Sequence, residues 1–170
     1  AGGTVKAGDP IHIEWTVKNN GPNVATGAWS DSVYLSTDDT WDINDRLLGQ
    51  KSFSGPLTAN QTYSLTLDST VPPVAAGQYR IIVRTDIRNQ VFEGVNEINN
   101  RRFSPDVVTV TVDSIQLGVP LNTTLSTGQD RLYKVTVLEG ETLRVRVSTA
   151  ANDAANEVYL RFNQAPTPFQ

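Results

Sequence analysis

The chain contains no cysteine, no methionine and a single histidine, His12. Without thiols there is no disulfide framework, no thiolate nucleophile and no thiolate metal ligand. One histidine, placed among alternating strand residues, leaves Ser-His and Cys-His nucleophilic sites and His-ligated zinc without their parts. No apolar run approaches the roughly 20 residues that span a bilayer, and Ala1 opens no leader-peptide pattern. Basic residues never cluster: Arg101-Arg102 is the longest run, too short to track a phosphate backbone. Nucleic-acid binding and membrane insertion are therefore set aside. A translation product starts with Met, so a chain with none is expected to be a processed or excised piece of something longer.

What is present is alternation with period two, and no convincing helical period. Ile11, Ile13, Trp15 and Val17 alternate with His12, Glu14, Thr16 and Lys18, and the run stops at the turn cluster Asn19-Asn20-Gly21-Pro22. Further strands are expected at Ser32 to Ser36, Tyr63 to Leu67, Tyr79 to Thr85 and Val107 to Val112. In the strand from Tyr79, the residues Tyr79, Ile81 and Val83 are expected to face inward, with Arg80, Ile82 and Arg84 outward. Short strands separated by Gly, Pro and Asn turns describe an all-β sandwich. Gly77-Gln78-Tyr79 sets a tyrosine just after a turn, where it reads either as a tyrosine corner or as a plain core residue.

A second unit is expected from Asp113 onward, dividing the chain into 1–112 and 113–170. Tyr133, Val135 and Val137 alternate with polar residues, and Glu139-Gly140-Glu141 turns into Leu143, Val145 and Val147, which reads as a hairpin. Asn156 to Asn163 reads as another strand. About five strands would be few for a closed sandwich, so this unit is expected to be a partial β-domain.

Charge is concentrated in one place. The whole chain has 14 basic and 18 acidic side chains, net −4. The eight residues from Asp38 to Asp45 supply Asp38, Asp39, Asp42 and Asp45 together with Asn44. Crowded like charges need water, salt or a cation to offset them, and a hard divalent ion suits convergent oxygens. Asp38, Asp39, Asp42, Asn44 and Asp45 are therefore candidate metal ligands, with Ca²⁺ the candidate ion and a structural rather than catalytic role. The spacing is not that of an EF-hand, because Arg46 stands where a third ligand belongs and no glycine follows in time. The same loop also reads as a polar turn shaped by Asp and Asn side chains. Glu97, in Phe92-Glu93-Gly94-Val95-Asn96-Glu97-Ile98-Asn99-Asn100, would complete the cation site if its loop folds beside the hairpin; otherwise that cluster caps turns. Trp41 is a candidate ligand-binding residue, since an exposed indole stacks on sugar rings; it reads equally as a cover over the loop. Acid–base catalysis would need two carboxylates in contrasting surroundings, and none are apparent.

Several blocks together resemble the CARDB family, the cell adhesion related domain found in bacteria. They are Trp15-Thr16-Val17-Lys18-Asn19-Asn20-Gly21, Trp29-Ser30-Asp31-Ser32-Val33-Tyr34-Leu35-Ser36-Thr37-Asp38, Asp45-Arg46-Leu47-Leu48-Gly49, Gly77-Gln78-Tyr79, Thr85-Asp86, Glu93 and Glu97-Ile98-Asn99-Asn100. Their order and spacing run from about Gly3 to Val112. The resemblance implies a seven-stranded, immunoglobulin-like antiparallel β-sandwich, used as a spacer or adhesion module in secreted or surface-anchored bacterial proteins. It further implies that an earlier opening strand is missing ahead of Gly3. From about Ser114 to Gln170, Leu117-Gly118, Leu132-Tyr133-Lys134-Val135, Glu139-Gly140-Glu141-Thr142-Leu143 and Val158-Tyr159-Leu160 resemble a bacterial pre-peptidase C-terminal type domain, jelly-roll-like and lacking later strands. The expected function is a non-catalytic extracellular spacer or adhesion module. Its partners would be neighbouring domains of the same polypeptide and proteins or glycans at the cell surface. The rival reading is an accessory glycan- or substrate-binding domain of a secreted hydrolase.

Overall fold

The computed structural model describes residues 2–151 and 153–166, apart from the side chains of residues 94–96. Eight strands build the sandwich: Gly3–Lys6 (β1), Pro10–Lys18 (β2), Ala28–Ser36 (β3), Arg46–Ser54 (β4), Thr62–Thr70 (β5), Gly77–Arg84 (β6), Arg101–Phe103 (β7) and Val108–Thr111 (β8). One sheet runs in the order β1-β8-β6-β3-β4, with β7 also pairing β6; the other is the pair β2-β5. All contacts within the sandwich sheets are antiparallel except β1 with β8, where Gly3 faces Val108 and Lys6 faces Thr111. The fold is an all-β immunoglobulin-like sandwich.

Alternation on β2 behaves as its side-chain period dictates. Ile13 and Trp15 are buried, Ile11 and Val17 half-buried, and His12, Glu14, Thr16 and Lys18 exposed. Facing them across the core are Val33, Leu35, Leu48, Tyr79, Ile81, Val108 and Val110. A second cluster joins Trp29, Leu57 and Tyr63, with Phe53 stacked on Tyr63 at 3.9 Å between ring centroids. Gly49 of β4 lies so close to β5 that a Cβ there would stand 2.8 Å from Leu67 Cδ1. The corner at Tyr79 is formed: its hydroxyl donates to the Ala75 carbonyl at 2.8 Å.

Ile82 departs from the outward placement expected for it and is only 1% exposed. Its register neighbours Tyr34 and Phe103 flank it, so the outer face of β6 is itself covered there. The last edge of β6 is shared by β7 and β8, one strand interrupted at residues 104–107. Ser104 continues the ladder through Ile81, and the Arg80 guanidinium donates to the Ser104 and Pro105 carbonyls at 2.8 and 2.9 Å. The interruption is thus hydrogen-bonded rather than open.

Downstream, Asp113–Ser114 (β9) pairs in parallel with Tyr133–Lys134 (β10). Among the described residues no further strand forms. The expected hairpin keeps its turn, with Gly140 at φ +83° and the Glu141 amide donating to the Leu138 carbonyl at 3.2 Å. Its arms and the segment Asn156 to Asn163 do not enter a ladder, and Val145, Val147, Leu160 and Phe162 are exposed. The reason is physical: alternation makes a segment fit for a sheet, but no opposing apolar face is supplied among the described residues.

Joining the two sheets is a carboxylate. Asp31 of β3 is fully buried, and it alternates inward with Trp29, Val33 and Leu35. Its Oδ2 accepts from Trp15 Nε1 and from Tyr63 Oη, both at 2.8 Å, and its Oδ1 accepts from Thr85 Oγ1 at 2.5 Å. Trp29 Nε1 in turn donates to Tyr63 Oη at 2.9 Å. No salt bridge reaches Asp31 among the described residues, so neutral dipoles alone solvate the group. Burial raises the Tyr63 hydroxyl well above the usual phenol range, which keeps it a donor.

Two substitutions separate charge from connectivity. Asp31→Ala leaves three donors unsatisfied and is expected to cost about 3 kcal/mol or more in urea unfolding. Asp31→Asn can turn its amide toward Thr85, whose hydroxyl accepts as readily as it donates, and should cost only about 1 kcal/mol. Equal losses would mean that the charge, not the bonding pattern, holds the sheets.

Candidate functional site

The acidic loop is the β3–β4 connection, and local hydrogen bonding explains its path. Asp38 Oδ1 accepts from the Thr40 amide at 2.7 Å, and Asp42 Oδ1 accepts from the Asn44 amide at 2.6 Å. Asp45 Oδ2 accepts from the Asp42 amide at 2.9 Å, and Asp39 Oδ1 accepts from Thr40 Oγ1 at 3.3 Å. The three amide contacts are short-range turns in which a side-chain oxygen stands in for a backbone carbonyl. Asp38, Asp39, Asp42 and Asn44 are exposed and Asp45 half-buried, so water screens much of their repulsion.

Asp42, Asn44 and Asp45 share one wall of an open cavity of about 310 Å³ with Arg46, Tyr79 and Ala165. Among the described residues no three His, Cys, Asp or Glu side chains gather as a metal-binding group. As arranged, the loop carboxylates bind backbone amides one by one instead of converging, so this arrangement does not fit a Ca²⁺ shell. Burial raises the Tyr79 hydroxyl above its ordinary value, while the positive charge of Arg46 opposes that shift.

Glu97 lies elsewhere. β3 and β6 are antiparallel, with Ser36 opposite Arg80 and Ser32 opposite Arg84, so the loops that follow them leave from opposite ends of the sandwich. The loop carrying Glu93 and Glu97 therefore sits at the far pole from Asp38 to Asp45. It folds as a 3₁₀ helix, Gly94–Asn99. Glu97 Oε1 accepts from the Glu93 amide at 2.8 Å, and Oε2 accepts from Asn100 Nδ2 at 3.4 Å. The buried Asp86, at φ +46°, takes the Gln90 and Val91 amides at 2.7 and 2.8 Å. Local hydrogen bonds within this loop engage these oxygens.

Trp41 folds back from the acidic loop over the outer face of the larger sheet. The Arg84 guanidinium lies 3.8 Å from its ring centroid and Tyr34 meets it edge-on at 5.8 Å. Its Nε1 is buried and has no hydrogen-bond partner among the described residues. One face of the indole is thus occupied by a cation from its own chain. His12 pairs with Asp68 at 2.6 Å on the exposed face of the smaller sheet. The polar centre that sequence reasoning missed is Asp31; the available signal was its inward position between Trp29 and Val33.

Glu93 offers a titratable test of the far pole. Its Oε2 is buried without a partner among the described residues, and burial, aided by Glu97 and Asp86, raises its pKa. A raised carboxyl pKa means that the folded state holds the proton more tightly than the unfolded one. Stability is then gained as pH falls through the raised value and lost as pH rises through it. Glu93→Gln should melt above the parent at pH 7, with the gap closing once pH falls below the ordinary value of 4.5. A gap that is constant with pH would show that the carboxyl does not titrate differently on folding.

The CARDB family profile matches residues 2–104. A search of curated proteins finds no match. Among solved structures, the chain is similar to the CARDB domain of the PF1109 protein from Pyrococcus furiosus, crystallised in complex with di-metal ions. The identity is 27% over 64% of this chain and 79% of that one, with a TM-score of 0.45. The solution structure of the same domain gives 27% identity over 63% of this chain and 84% of that one, TM-score 0.44. A mutant β-glucosidase from Listeria innocua in complex with laminaribiose is 20% identical over 64% of this chain but only 14% of its own, TM-score 0.39. With the profile spanning most of the sandwich, this chain belongs to the CARDB family.

Proposed function

We propose that the chain is a load-bearing, non-catalytic module of an extracellular bacterial protein, a spacer that holds adhesive or enzymatic neighbours at a distance. The observation that carries this reading is the parallel pairing of β1 with β8, Gly3 opposite Val108 through Lys6 opposite Thr111. Tension enters the sandwich at the start of β1 and leaves at the end of β8. Because the two strands run the same way, those points lie at opposite ends of the ladder. Pulling then loads its evenly spaced bonds together, in shear, instead of peeling them one at a time. Membership of an adhesion-related family agrees with such a role, and the buried polar groups around Asp31 are spent on one another, as a scaffold requires.

Single-molecule pulling tests the reading, since the chain has no native cysteine to confuse handles placed by substitution. Handles at residues 2 and 114 load the β1–β8 ladder in shear. Handles at residues 2 and 105 share one end of it and open it as a zipper. The first geometry should need a clearly higher unfolding force, and equal forces would overturn the proposal.

A calcium-stiffened hairpin is the finer version of this reading. The loop carboxylates are each held by a local hydrogen bond and do not converge on one point, so binding an ion would require them to turn toward it. Melting in millimolar calcium and in chelator is therefore expected to give the same midpoint. A midpoint raised by several degrees would show that Asp38, Asp42 and Asp45 rearrange around a cation.

A further inference from the structure

We propose that one pole of the sandwich is a docking face for the chain that follows it, so that residues 113–134 form a locked joint instead of a trailing linker. The β1–β2 turn, the β3–β4 loop and the β5–β6 loop meet at this pole, as the Gly8 amide bond to Val71 and the shared cavity wall show. Gly8 is its centre. It has φ +85°, and a Cβ added there would stand 2.2 Å from the Asp130 carbonyl oxygen and 3.4 Å from Gln129 Nε2. The downstream backbone thus approaches as closely as only glycine permits.

Gln129 uses both ends of its amide. Nε2 donates to the Gly8 carbonyl at 2.9 Å, while Oε1 accepts from the Ser126 amide at 3.1 Å, bracing the turn that presents it. Two ion pairs flank the contact, Lys6 with Asp113 at 2.8 Å and Arg131 with Asp9 at 3.7 Å. These exposed or half-exposed pairs contribute little by themselves, so shape and the glutamine amide set the specificity. The loop is closed behind the contact by β9 with β10 and by the Ile115 amide donating to the Lys134 carbonyl at 2.9 Å. Further on, every described residue from 153 to 164 is exposed, yet Ala165 and Pro166 return to half-burial, and Ala165 lines the cavity beside Asp45 and Tyr79.

The occupant of this face is therefore the downstream segment of the same chain, held at Gly8 and touched again at Ala165. This goes beyond the spacer reading and is independent of it, because distances rather than forces decide it. In the full chain, spin labels on cysteines placed at the exposed Thr66 and Thr123 should give one narrow distance distribution. Gln129→Ala with Arg131→Ala, both outside the sandwich, should widen it by about twofold, since a released segment samples coil-like distances. Gly8→Ala should widen it too, provided that tryptophan fluorescence confirms a folded sandwich. A broad distribution in the parent chain, or an unchanged width in the double variant, would overturn the joint.

Discussion

One buried carboxylate organises this sandwich. Asp31 lies on β3, the strand between β4 and β6, and it is reached by Trp15 and Tyr63 from both strands of the opposite sheet. Thr85, just past β6, closes the other oxygen. Hydrophobic contact between sheets is non-directional and tolerates sliding. Three directed bonds to one group do not, and they fix how β2 and β5 sit over β3. Because the donors are neutral, the arrangement depends on every one of them being present. The chain has no disulfide to do this work.

Around that centre the aromatic residues divide by role. Trp15 and Trp29 bring apolar bulk with one polar edge each, and both edges are used inside. Trp41 lies on the outer face, against Arg84 and Tyr34. Arg80 treats Phe103 similarly, its guanidinium 5.5 Å from the ring centroid. The outer face of β6 is therefore covered around Ile82, which explains how that residue is lost from solvent although it points away from the main core.

Much of this was legible in the sequence because β-strand side chains have a strict period. The alternation of Ile11 to Val17 marked the inward face of β2, and Gly77-Gln78-Tyr79 left two readings open, of which the corner with Ala75 is the one formed. Arg46 to Ser54 has no comparable alternation, which is why β4 does not stand out as a strand; its register comes from pairing with β3. The acidic loop was visible as a charge cluster, but spacing carries no information on whether oxygens converge or bond locally. Glu97 was misplaced for a topological reason, since only strand direction decides which pole a loop occupies. In the downstream segment, alternation at Leu143 to Val147 marks residues fit for a sheet and says nothing of a partner strand.

The interrupted edge beside β6 has a consequence of its own. Between Phe103 and Val108 lie four residues, 104–107, opposite only two, Arg80 and Ile81, between Tyr79 and Ile82. The surplus is an even number. Since side chains alternate two by two, Val108 and Val110 still point into the core, where both are buried. An odd surplus needs a bulge to absorb it, as Leu48 of β4 is absorbed opposite Val33 and Tyr34. Without such a bulge, only a change by two residues here keeps Val108 and Val110 facing the core.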